Sequence, residues 1–522
     1  MQNILYALIL VALLTACNPI PGHDGQEPVQ EIDTTGQNPP PPAPYKVRAR
    51  IDFDKNPAAG WTDGFTAQTI ETIAGFTPEE DPETDSYGGW TFMNLGGSGF
   101  FRVEKADGRW WLVDPLGNIF ISKGVTSFSP NQSARSIAKR KELFGGDGGG
   151  QTGYHGWVRE ETAFLKRIGF NSLGAWSIPQ TMRSTQYMPY TVIFSPMQRY
   201  NSALKASGRE AEAYRNAKSW EGYPYDFAMV FDTDFDSMLE TVLQEAADFR
   251  DDPNLIGYFI DNELPWKNYA LEMCLTRWPA GHVNHDQAQA WLDARKGRSG
   301  VAFQDADEAD KKAFIAYCYE IYLQKVTAVL KKYDPNHLLL GNRFNQWSHE
   351  LQNEEMFRTA GRYVDAVSIN HYRKWQPDQA VMADWAAWAG KPFLITEFYV
   401  KGEDASMENP YLTNTSGAGW VVPTQNDRGL FYENFVIELL RSDACIGWHW
   451  FRYMDNDPED PSADASNRNA NKGIVKWDFG QYDDLVSHMQ AINSSTCRLA
   501  RFFRISAGSG SEAQTLQHKK GG

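Results

Sequence analysis

Eight short apolar runs recur between Ile119 and Trp450 with amphipathic stretches between them, and this alternation leaves few architectures open to the chain. The runs are Ile119 to Val125, Phe170 to Ala175, Tyr190 to Phe194, Leu255 to Ile260, His337 to Leu340, Val364 to Ile369, Pro392 to Thr396 and Cys445 to Trp450. Helical patterns separate them, among them Glu160 to Ile168, Phe235 to Phe249, the long Asp307 to Lys332, and Asp427 to Arg441. A strand that reads as an unbroken apolar run is covered on both faces, and a helical crossover between two such strands makes them parallel. Eight repeats predict an α/β fold, a (β/α)8 TIM barrel with long loop insertions over residues 106–505. Barrels of this kind collect their chemistry at the C-terminal ends of the strands, so the strand tips are where functional residues are expected.

The chain before the barrel divides by composition. Residues 1–17, "MQNILYALILVALLTAC", join an apolar run to small residues and a cysteine, which resembles a bacterial lipoprotein signal. The run falls short of the ~20 apolar residues a membrane span needs. Cys17 is the expected lipidation site, and the implied location is the bacterial cell envelope, anchored by lipid to the outer membrane. Residues 18–45 end in "NPPPPAPY", a semi-rigid proline-rich linker. Residues 46–105 hold strand-like pieces such as "KVRARIDF" and are expected to form a small β-rich cap, while residues 506–522 read as a disordered tail. The hairpin signal Asp107-Gly108 and the turn Asp114-Pro115-Leu116-Gly117 lead into the first barrel strand. Cys274, Cys318, Cys445 and Cys497 are widely spaced and suggest neither a zinc site nor a disulfide framework.

A net charge of −16 without a basic block argues against nucleic-acid binding. Two acids stand at strand tips: "LIGYFIDNELPW" ends its apolar run in Asn262-Glu263, and "KPFLITEFYV" carries Glu397. Their separation, 397 − 263 = 134 residues, is three generous βα units, which brings both carboxylates to one mouth of the barrel. Two carboxyls ~5–5.5 Å apart can cleave a glycosidic bond with retention, one protonating the leaving oxygen and the other attacking the anomeric carbon.

The segments "WWLVDPLGNIFISKGV", "GYFIDNELPW", "LITEFYVKGEDASM", "NTSGAGWVVPTQNDRGLFYENF", "GWHWFRYMDNDPED" and "NKGIV" resemble glycoside hydrolase family 50, the β-agarases. The resemblance implies a barrel of the large clan of retaining hydrolases, with Glu263 as acid/base and Glu397 as nucleophile. The implied activity is cleavage of β-1,4-galactosidic linkages in agarose or agar oligosaccharides, exo-acting, with neoagarobiose-type products. It further implies that Asn262 contacts the sugar 2-hydroxyl. One of His371 and Tyr372, after strand six, is expected to hold the nucleophile. Trp450 is expected to form a floor under a sugar ring, with Trp448 deeper in the core. Trp176, Asn342, Arg343 and Trp420 complete the substrate-binding candidates at strand tips and in the loop Asn414 to Trp420.

Weaker motifs lead elsewhere or nowhere. "GGDGGG", Gly145 to Gly150, lacks the lysine and hydroxyl residue of a phosphate loop. The acidic stretch Asp455 to Asn467 invites a calcium hypothesis but lacks the glycine of an EF-hand loop. No nucleotide, flavin or metal motif is present, so no cofactor is expected. Arg343, Arg373, Lys374, Lys401, Arg452 and Lys472 fall near strand tips, where they can meet sulfates of porphyran or carrageenan or pair with neighbouring acids. Besides an agarase, the sequence leaves open a related hydrolase on those galactans, an exo-β-galactosidase, and a non-catalytic glycan-binding lipoprotein.

Overall fold

The computed structural model describes residues 41–145, 153–178, 188–209, 227–345, 349–464 and 467–506. The expected signal segment with Cys17, most of the linker 18–45, nearly all of the glycine-rich run 145–150 and the tail beyond 506 lie outside the described residues. The first elements are antiparallel. Strands β1 (Tyr45–Ala49) and β2 (Thr62–Ala67) form a ribbon, and β3 (Trp90–Asn94), β4 (Arg102–Ala106), β5 (Arg109–Val113) and β6 (Asn118–Phe120) form a sheet in the order β3-β6-β5-β4. Asp107 and Gly108 turn β4 into β5 with positive φ at both positions, as a tight hairpin between twisted strands requires. This sheet crosses the boundary expected between residues 105 and 106.

A curled sheet of parallel strands follows, and each of the eight apolar runs contributes to it. Its members are β7 (Ser122–Val125), β8 (Ser172–Leu173), β9 (Tyr190–Phe194), β10 (Leu255–Ile260), β11 (Leu338–Leu339), β12 (Phe344–Asn345), β13 (Val367–Asn370), β14 (Phe393–Phe398) and β17 (Cys445–Trp450). The order is β11-β10-β9-β8-β7-β17-β14-β13-β12. The first apolar run is divided at Ile121, its front half serving the antiparallel sheet and its back half the parallel one.

The two edge strands of this sheet, β11 and β12, are separated in the chain only by residues 340–343. Leu340 N–H donates to Tyr258 O (2.8 Å), while the Gly341 and Asn342 carbonyls accept from Ile260 N (2.9 Å) and Glu263 N (3.2 Å). Arg343 N–H then reaches the Ser368 hydroxyl on the other side (2.9 Å). Gly341 and Arg343 both have positive φ, so the pleat is interrupted where the segment passes from β10 to β13.

Strand parity decides which side chains fill the interior. Trp448 and Trp450 are two residues apart and face the same way, toward the helix Gln425–Arg441, where both are fully buried. His449 faces inward instead and bonds the Ser122 hydroxyl (2.9 Å). It fits because Gly124 and Gly174 carry no side chain: a Cβ would stand 2.3 Å and 2.6 Å from its ring. Burial holds this imidazole down at about 3, hence neutral.

The ribbon and the segment after it lie on the C-terminal third of the chain. Arg50 N–H donates to Val421 O (2.8 Å), Gln68 N–H to Asn434 Oδ1 (2.9 Å), Ile70 N–H to Glu433 Oε2 (2.7 Å), and the Trp375 indole to Thr66 O (2.8 Å). The short strands β15 (Lys401–Gly402) and β16 (Val421–Val422) pair beside it. Cys274, Cys318, Cys445 and Cys497 are buried free thiols.

Candidate active site

The backbone departs from the β region at the C-terminal ends of the parallel strands. Of the nine non-glycine residues with positive φ among the described residues, Ser127, Trp176, Asp261, Glu263, Arg343 and Arg373 stand beside these strands. Each such position costs on the order of 1–3 kcal/mol and persists only where surrounding contacts enforce it. Four of the six, Ser127, Trp176, Glu263 and Arg373, line one cavity of about 1140 Å³, together with Glu397.

Glu397 is buried at the end of β14 and is held by three donors. Arg343 Nη2 (2.5 Å) and the Trp176 indole (3.3 Å) reach Oε1, and the Tyr372 hydroxyl donates to Oε2. Burial, then the Glu397 charge, pushes the Tyr372 hydroxyl well above its ordinary range, so it stays protonated as a donor. The pair of expectations at strand six is thereby resolved in favour of Tyr372. His371 turns away, between Trp385 and Phe435, with both ring nitrogens buried and without hydrogen bonds, and burial pulls it down to about 4. Its backbone N–H donates to Glu397 O (2.8 Å), so its contribution is through the main chain.

Glu263 is half-buried, and its two oxygens accept from Asn370 Nδ2 (2.8 Å) and Asn345 Nδ2 (2.9 Å). Asn370 also reaches Asn262 Oδ1 (3.2 Å), which accepts from Arg343 Nη1 (2.7 Å). A chain of side-chain hydrogen bonds thus runs from Glu263 through Asn370, Asn262 and Arg343 to Glu397. Neither Asn370 nor Asn345 was among the sequence candidates. An amide directly after an apolar run, Val364 to Ile369, is the signal that marks Asn370; Asn345 follows no such run.

Asp261 points out of the cavity into the helix layer. Its carboxylate accepts from Met197 N (2.9 Å) and the Tyr322 hydroxyl (3.0 Å). Helix Pro196–Ala206 has no side-chain cap from its own Ser195, and Asp261 supplies one from another strand. The stretch Asp261-Asn262-Glu263 therefore splits its duties: Asp261 fixes a helix, Glu263 lines the cavity, and the buried Asn262, not itself a lining residue, links Asn370 to Arg343.

Other expected positions fall differently. Trp450 is buried against Phe398, Phe431 and Tyr432 with its indole on Lys472 O (2.9 Å), because it shares the parity of Trp448; it does not line the cavity. The aromatic lining comes from Trp176, Tyr269, Tyr372, Tyr399 and Phe451. Asn342 directs its carbonyl oxygen to the Tyr319 hydroxyl (3.0 Å) in the helix layer. Trp420 packs on Phe65 and Trp375. Arg343 is committed to Glu397 and Asn262, and Arg373 to Asp54, which itself lines the cavity from the N-terminal segment. In the acidic loop Asp455 accepts from the Asn471 side chain, the Lys472 and Gly473 amides and Tyr482, and Asp457 pairs with Arg135.

The loop 414–420 does form part of the wall, through Thr415 to Ala418. Lys401 holds it from beneath: its buried ammonium donates to the carbonyls of Asn414 (2.9 Å), Ser416 (2.9 Å) and Gly417 (3.1 Å). Burial pulls the Lys401 pKa from 10.5 to about 7. Between those values the unfolded chain holds the extra proton, so this residue's contribution to stability is full above the unfolded value and is lost as pH falls through about 7. In urea unfolding, wild type should gain on Lys401→Met as pH rises across that window; parallel curves would contradict it.

No family model matches the chain. β-Agarase B of Vibrio sp. (strain JT0107) is 25% identical over 80% of this chain and 50% of its own length, and β-agarase A of the same organism is 24% identical over 77% and 46%. The chain thus spans about half the length of the curated relatives it matches. Among solved structures, that of BpGH50 superimposes with a TM-score of 0.74 at 25% identity, covering 88% of this chain and 96% of that one. An exo-β-agarase structure has a TM-score of 0.66 at 20% identity, covering 81% and 68%, and speaks for the fold.

Proposed function

Since the chain is a relative of the β-agarases of glycoside hydrolase family 50, we propose that it is a retaining glycoside hydrolase acting on β-1,4-galactosidic linkages of agarose or its oligosaccharides. The observation that carries this reading is the pair Glu263 and Glu397, lining one cavity from the ends of β10 and β14 and joined by a continuous hydrogen-bond chain. We read β11 and β12 as one interrupted strand, so that the sheet closes as an eight-stranded barrel and both glutamates rise from one rim.

In the first step a Glu397 oxygen attacks the anomeric carbon as the glycosidic bond breaks, and Glu263 gives its proton to the leaving oxygen. In the second, Glu263 takes a proton from water, whose oxygen displaces Glu397 from the same carbon. Tyr372, Arg343 and Trp176 orient the attacking carboxylate, and Asn370 and Asn345 fix the plane of the acid. Asn262 holds the sugar 2-hydroxyl. Action from a chain end and lipid anchoring at Cys17 in the cell envelope belong to the same reading; the first rests on the family, the second on the signal-like segment 1–17.

The test is digestion of agarose and defined neoagaro-oligosaccharides, with products sized by mass spectrometry and the new reducing end followed by NMR. The expected result is neoagarobiose released with the β configuration. Binding of agar, porphyran and carrageenan oligosaccharides without any release of reducing sugar overturns it in favour of a glycan-binding lipoprotein.

A further inference from the structure

One part of the cavity wall carries positive charge whose hydrogen-bonded partners are all neutral. Lys472 is nearly fully buried, and its ammonium donates to the side-chain oxygen of Asn467. Its Nζ stands 4.7 Å from the centre of the Tyr399 ring and 5.0 Å from that of Phe451. Arg452 donates through Nη1 to Asn456 Oδ1 (2.5 Å), and its buried Nε has no hydrogen-bond partner. Both residues line the cavity.

The contrast with the neighbouring arginines is sharp, since Arg343 pairs with Glu397 and Arg373 with Asp54. Asp455 and Asp464 act on Arg452, and Glu397 and then Asp464 on Lys472, only from beyond ion-pair distance. Burial pushes both cations down, and repulsion from Lys401 and then from Arg452 adds to this at Lys472, so the wall as it stands is electrostatically costly. A ligand that brings negative charge between them relieves that cost.

Resting on the hydrolase reading above, we propose that Lys472 and Arg452 form a subsite for a sulfate ester on the galactan residue held in the cavity. A sulfate monoester is ionised at any pH at which the protein is folded. Its three outer oxygens are acceptors for the two cations that line this wall. The Tyr399 and Phe451 rings lie beside the same charges and offer an apolar face to the sugar carrying the ester. The net charge of −16 does not oppose this, because at physiological ionic strength charges more than ~8 Å away are largely screened, whereas two buried cations at the wall are not.

The experiment compares sulfated galactan oligosaccharides with their chemically desulfated counterparts as substrates for wild type, Lys472→Met and Arg452→Gln. Wild type is expected to favour the sulfated substrate in kcat/KM, and each substitution to lower that preference by roughly tenfold or more, the weight of a charge-assisted hydrogen bond. Inorganic sulfate is expected to compete with the sulfated substrate in wild type more than chloride does at equal ionic strength, which keeps the test open if a variant misfolds. Cleavage of desulfated substrate with no preference for the sulfated one, and no competition by sulfate, overturns the subsite and leaves the hydrolase intact. Absence of cleavage of either substrate defeats the hydrolase reading itself.

Discussion

Glu397→Ala is expected to lower kcat/KM on agar oligosaccharides by about four orders of magnitude or more, the scale at which removal of a covalent nucleophile acts. Azide should then restore turnover, because a small anion fits where the carboxylate stood and can attack from the same face. The product should be a glycosyl azide of inverted configuration. Glu263→Ala should lose about 10²–10⁴-fold, the span of general acid–base catalysis, and azide should there intercept the glycosyl-enzyme to give retained configuration. The two substitutions therefore separate the roles by stereochemistry rather than by size of effect. An azide product of retained configuration from Glu397→Ala reverses the assignment.

Arg343→Met should be costly to the fold as well as to activity. Its guanidinium is fully buried and serves Asn262, Thr396 O and the 7%-exposed side chain of Glu397. Removing one member of a buried ion pair leaves the other charge uncompensated, at about 3–5 kcal/mol. The same substitution made in Glu397→Gln should cost less by roughly 1–3 kcal/mol, the coupling expected of groups in direct contact. Chemical denaturation of the four proteins in this cycle measures it, and additive costs would mean that the pair contributes nothing as a pair.

The strands were legible because parallel strands covered on both faces leave unbroken apolar runs, and β9, β10 and β17 coincide with theirs residue for residue. The fifth run marked only β11, since Phe344-Asn345 is too short and too polar to register as a strand. Glu263 and Glu397 were legible as acids terminating apolar runs. Trp450 was misread because its place at a strand tip was weighed and its parity with Trp448 was not. Asn342 failed for a related reason: at an interrupted strand the alternation of faces is lost, and only three-dimensional contacts reveal that it meets Tyr319. Asp54, Asn456 and Asn467 reach the cavity from distant loops of ordinary composition. Nothing local in the sequence distinguishes such residues from solvated loop positions.

The N-terminal ribbon has a consequence for the order in which the molecule is made. Gln68 and Ile70 find their partners 366 and 363 residues further along, and Asp54 meets Arg373 at the cavity rim. A chain emerging from the ribosome must carry this segment without these partners until residues 433 and 434 have followed, because contacts this distant pay a large closure entropy before they form. The rim is thus completed last. Truncated or stalled chains that end before Arg373 cannot set it against Asp54, and those that end before Glu433 leave Gln68 and Ile70 without these partners, so this side of the cavity waits on the C-terminal third.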